Sequence, residues 1–193
     1  MERPSRLINP ETGEVELLLY PYHLDRLHGP YQGDKEADEA IKAGLSFPLL
    51  VGLKPTIVVF RAKMTPYEIL AAAPNDSSFF EDNRRLHAYA LTPVGWTYSP
   101  DLFFEDSKLN LLHLFIAGMA SRQERLASAI RYLSGSLEQP DLLIKQGWFK
   151  NRPVRSGENP DAYIWNRPWG KVIADLDYRD NEPEIFVDWR SPD

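Results

Sequence analysis

Three carboxylates near the C-terminus are the residues best suited to catalysis. Side chains alternate from Val172 to Tyr178 and again from Glu184 to Trp189. Period-two geometry puts Ile173, Asp175, Asp177 and Arg179 on one face of a strand. Glu184, Phe186 and Asp188 then share a face of its partner. If the two acidic faces coincide, Asp175, Asp177 and Asp188 converge. Clustered carboxylates hold a hard cation such as Mg²⁺, and the chain would be a metal-dependent hydrolase or nuclease. The plainer reading is a strand with one packed and one wet face, whose charges also discourage edge pairing. No His or Lys stands at a diagnostic spacing to serve as general base.

A second constellation runs from Trp148 to Lys171. It holds Trp148, Arg152, Arg155, Trp165, Arg167 and Trp169, and four of the five Trp lie beyond residue 147. Trp and Arg are the residues most enriched at protein–protein hot spots. They also stack on bases or sugars and clamp anions. The competing reading has Trp148 and Trp165 filling the core, with Arg stems laid over them. Residues 148–171 carry five basic against two acidic side chains, whereas residues 172–193 carry two basic against seven acidic.

The four His residues are scattered. His23 and His28 stand five apart, which is not the i, i+4 pair of a zinc protease. His87 falls in an expected strand and His113 in an expected helix, and each reads as a satisfied core or boundary residue. The chain contains no Gly-x-Gly-x-x-Gly, no phosphate-cradling loop and no Gly-x-Ser-x-Gly elbow. These absences remove the commonest nucleotide-dependent and serine-hydrolase readings, and no cofactor is expected. Without Cys there is no disulfide framework, thiolate nucleophile or Cys-bound zinc.

With 193 residues, of which 43% are hydrophobic and 26% charged, the chain is too apolar for a disordered protein. One globular domain over residues 1–193 is expected, with a possible C-terminal sub-lobe over 148–193. The longest apolar windows, Leu45 to Leu53 and Leu111 to Ala120, fall far short of the ~20 residues of a membrane helix. No signal-peptide pattern opens the chain, so a cytoplasmic location is expected. The net charge of −6 argues against nucleic acid as a partner and suits a basic protein surface.

The elements that must position these residues follow from local signals. Asn9-Pro10-Glu11-Thr12-Gly13 marks a turn before a strand over 14–22. Asp34 can cap a helix over 35–43, closed by Gly44. Thr56 to Phe60 is a β-branched strand. Thr65-Pro66-Tyr67-Glu68 is a capping box that opens a helix over 65–73. Leu86 to Leu91 and Trp96 to Tyr98 read as a hairpin. Leu109, Leu112, Ile116 and Met119 form a stripe at helical spacing, which predicts a helix over 107–119. A second capping box, Ser121 with Glu124, starts a helix over 122–134, and Pro140 to Gln146 reads as a short helix. Phe79-Phe80-Glu81-Asp82 recurs as Phe103-Phe104-Glu105-Asp106, which is too short for a structural repeat.

The expected fold is α+β. A mostly antiparallel sheet of five to seven strands carries helices packed on one face and ends in a C-terminal β-hairpin. The expected function is a non-catalytic interaction protein (adaptor, inhibitor, immunity-like or assembly factor). It would bind another protein through the Trp/Arg-rich stretch.

Overall fold

The computed structural model describes residues 6–21, 56–74, 77–79, 85–86, 88–98, 100–116, 120–146, 151–176 and 182–190. The expected helix over 35–43, His23, His28, His87, Trp148 and Asp177 lie outside the described residues. Eleven strands and two helices are described, and every strand pairing is antiparallel. The strands form two sheets, one of seven strands, within the expected five to seven, and a further one of four.

The turn at residues 9–13 closes by the Gly13 N–H donating to the Asn9 carbonyl at 2.8 Å, with Gly13 at φ 73. It leads into β1 (Val15–Pro21), which pairs with β2 (Thr56–Phe60) on one side and β3 (Ala88–Thr92) on the other. Helix α1 (Pro66–Ala72) starts where expected: the Glu68 N–H donates to Thr65 Oγ1, and the Thr65 N–H donates to the Glu68 carboxylate. β4 (Gly95–Tyr98) completes a four-stranded sheet in the order β2-β1-β3-β4.

The expected helix over 107–119 is not formed; strand β6 (Lys108–Phe115) stands there instead. Asp106 and Ser107, where that helix would begin, have φ 50 and φ 60. Two consecutive left-handed residues make the tight turn of a hairpin. They join β6 to β5 (Asp101–Glu105). Phe103 lies opposite Leu111 and Phe104 opposite Leu109, so Asn110 is one extra residue on β6. That bulge brings Leu109 and Leu112 onto the same buried face although they stand three apart. The helical spacing in the sequence is thus the signature of a bulged strand.

Helix α2 (Arg122–Leu137) begins at the expected capping box of Ser121 and Glu124 and runs three residues past the expected end. The short helix expected over 140–146 is replaced by strand β7 (Leu142–Lys145). Its residues pair with β9 (Ala162–Arg167), and tertiary pairing overrides the local preference of Leu and Lys for helix. β8 (Arg152–Pro153) pairs with β7. β10 (Gly170–Leu176) and β11 (Pro183–Asp188) form the expected C-terminal hairpin.

The larger sheet has seven strands in the order β5-β6-β11-β10-β9-β7-β8. One face carries Leu112, Leu114, Val172, Ala174, Ile185, Val187 and Trp165, all buried. Against it lie Leu126, Ala129, Leu133 and Leu137 of α2, together with the inward side chains of the four-stranded sheet. Apolar residues from Leu7 to Trp189 thus join a single core cluster. No helix among the described residues is long and apolar enough to cross a membrane.

Candidate functional site

Of the Trp/Arg constellation, Trp165 is core, Arg152, Arg167 and Trp169 are half-buried, and Arg155 is exposed. Trp165 is fully buried, and its indole N–H donates to the Glu138 carbonyl at 3.0 Å. Trp169 lies over the Gly13 turn, its N–H donating to the Pro10 carbonyl at 2.8 Å. Trp189 donates to the Gly13 carbonyl at 2.8 Å. Arg152 forms a two-pronged pair with Glu158, both contacts at 2.7 Å. The Arg155 N–H donates to the same carboxylate, and together these donors lower the Glu158 pKa to about 2. Arg167 pairs with Asp141 at 3.0 Å and donates to the carbonyls of Asn166 and Leu137, closing the end of α2. Trp165 and Trp169 hold the fold together, Arg167 caps a helix, and Arg152 is committed to a local ion pair.

The acidic constellation divides in two. Asp188 lies opposite Lys171, and Asp175 lies opposite Glu184. Lys171 and Asp175 stand four residues apart on β10, a separation of roughly 13 Å at ~3.3 Å per residue. Asp175 and Asp188 therefore do not converge, because the register offsets them along the hairpin. Asp188 is instead held by Arg190 at 2.7 and 2.8 Å, with Lys171 Nζ at 3.7 Å. Burial alone would raise its pKa; the Arg190 hydrogen bonds and the two positive charges outweigh this and lower it. No group of three His, Asp or Glu among the described residues has metal-holding geometry.

The face opposite α2 holds a different arrangement. Cross-strand partners share a face, and one row runs Asp101, His113, Phe186, Ile173, Ile164, Leu142 across six strands. The row beside it runs Phe115, Glu184, Asp175, Ala162, Ile144. Among the described residues no helix lies over this face. In the first row His113 is 7% exposed, Phe186, Ile173 and Ile164 are half-buried, and Leu142 is 48% exposed.

His113 is the centre of the polar end. Its Nε2 lies 2.6 Å from Glu184 Oε2, and its Nδ1 lies 3.6 Å from Asp101 Oδ2. The ring stacks on Phe186 with centroids 4.1 Å apart and 11° between planes, and Phe115 lies 4.2 Å away. Arg85 binds the far side of Asp101 at 2.6 Å. Gln146 donates to Asp175 at 3.2 Å. Burial disfavours the imidazolium, but hydrogen bonds and charge from Asp101 and Glu184 outweigh it and raise the His113 pKa. Burial likewise opposes the charge on Asp101, and His113 and Arg85 outweigh it, so its pKa falls.

With a carboxylate at each ring nitrogen, His113 is arranged to keep a proton, not to take one from a substrate. The flanking Phe faces favour the same charged form. His113 was legible as a satisfied residue, but its partners were hidden by the helical reading of 107–119. Alternation alone puts His113 and Phe115 on one strand face, and Glu184 and Phe186 on another.

A scan against protein-family models, a search of curated proteins and a search of solved structures each find no match to this chain.

Proposed function

We propose that this chain is a non-catalytic interaction protein, acting in the cytoplasm as an adaptor, inhibitor or assembly factor. Its partner is another protein, seated on the face of the seven-stranded sheet opposite α2. The observation that carries this reading is the ridge Phe186-Ile173-Ile164-Leu142. It places four apolar side chains from four neighbouring strands in one line, ending on a residue that is 48% exposed. An apolar line of this kind supplies the dry centre of an interface.

The neighbouring carboxylates give the partner its chemistry. Asp101, Glu184 and Asp175 lie on this face beside the ridge, and the whole chain carries −6. A partner presenting apolar side chains beside Lys or Arg complements both features. Leu142 on β7, toward the end of the sheet away from His113, is the most accessible ridge residue.

The test introduces Ile164→Arg with Leu142→Arg. Long Arg stems are tolerated at half-buried sites because the head reaches water, while their charge repels a basic partner. The folded double variant, used as bait beside the wild type, should lose the partners that the wild type retains. Equal recovery by both baits removes the ridge from the interface.

A further inference from the structure

We propose that His113 is a proton-operated latch that fastens the terminal strand β5 to the rest of the seven-stranded sheet. This device stands apart from the docking reading and does not require it.

The geometry is a three-strand bridge. His113 on β6 lies between Asp101 on β5 and Glu184 on β11. Among the described residues, β5 ends its sheet: β6 is the one named strand it pairs with, and beyond that Asp101 makes a single bridge to Arg85. A protonated imidazole offers two N–H donors, one for each carboxylate; a neutral one offers a single N–H. The contact with Glu184, at 2.6 Å, is the one a single proton keeps. The Nδ1 lone pair then faces the Asp101 carboxylate across 3.6 Å, so an attraction becomes a repulsion.

The other charged groups facing the pair reinforce this. Asp175 on β10 lies opposite Glu184 and adds negative charge on that side. Arg85 is the cation left to Asp101, and its side chain is 51% exposed, where salt and water weaken the pair. Losing the His113 proton therefore loosens the Asp101 end of β5 first, while β10 and β11 keep their neighbours on both sides.

The direction with pH follows. The folded state raises the proton affinity of His113 above that of a free histidine. The stabilisation is fully present below the ordinary histidine value and is lost as pH rises through the raised one.

Backbone hydrogen exchange tests the latch, with rates corrected for the intrinsic effect of pH on exchange. The full chain is compared from about pH 6 to about pH 9, a range that brackets histidine titration. The expected result is loss of protection in β5 as pH rises, with β10 protection unchanged. In His113→Gln, whose side chain is uncharged at every pH, β5 protection should be low and flat across the range. A pH-independent β5 in the wild type overturns the latch, as does the same pH profile in His113→Gln. If that variant does not fold, an NMR titration of the His113 ring in the wild type decides. Titration above the ordinary histidine value supports the latch, and titration at or below it overturns it.

Discussion

Trp165, Trp169 and Trp189 each give their indole N–H to a backbone carbonyl, and that spends the polar handle that would have met a partner. The sequence shows where aromatic weight lies, but burial depends on which segment folds over each ring. For Trp169 and Trp189 that segment is the turn at residues 9–13, more than 150 residues away in the chain. Composition cannot report such a contact. Trp165→Ala should cost about 3–5 kcal/mol in chemical denaturation, as for a fully buried aromatic. Gly13 has φ 73, and a β-carbon there would overlap the Trp169 ring. Gly13→Ala should therefore destabilise by about 1–3 kcal/mol in the same assay, from backbone strain alone. Displacement of Trp169 adds to that cost.

At the scale of elements, local chemistry was readable wherever it was self-contained. Both capping boxes, at Thr65 with Glu68 and at Ser121 with Glu124, start helices where the sequence places them. The C-terminal hairpin likewise follows from alternation. Removing the hydroxyl in Ser121→Ala should lower stability by about 1 kcal/mol, measured by thermal unfolding followed by circular dichroism. The two misread segments fail for a physical reason. In β6 the extra residue Asn110 shifts the buried side chains from a period of two to a spacing of three, imitating a helix. In β7 the four residues Leu142 to Lys145 carry no strand signal of their own and become a strand by pairing with β9. The candidate site depended on both elements. Half of it, the alternation of Glu184 with Phe186 and Asp188, was legible. The other half, with His113, Asp101 and Leu142, required the pairing partners.

At the scale of the molecule, the core side of the larger sheet is filled by α2 and the four-stranded sheet, and its other face grades from charged to apolar. Net charge of −6 and carboxylates beside the ridge make association with a basic surface dependent on ionic strength. Raising salt from about 0.05 M to about 0.5 M should slow association more than it speeds dissociation, since screening acts on long-range attraction. Surface plasmon resonance with a recovered partner reads both rates. On the proposed reading the ridge, and not the Trp/Arg stretch, meets the partner. The most direct measurement is the dissociation constant of that partner for three folded baits: wild type, Ile164→Arg/Leu142→Arg, and Arg152→Ala/Arg155→Ala. Loss of about tenfold or more in affinity, ~1.4 kcal/mol, is predicted for the ridge variant, with the Arg variant unchanged. Full affinity in the ridge variant, or a loss confined to the Arg variant, would take the partner off the ridge.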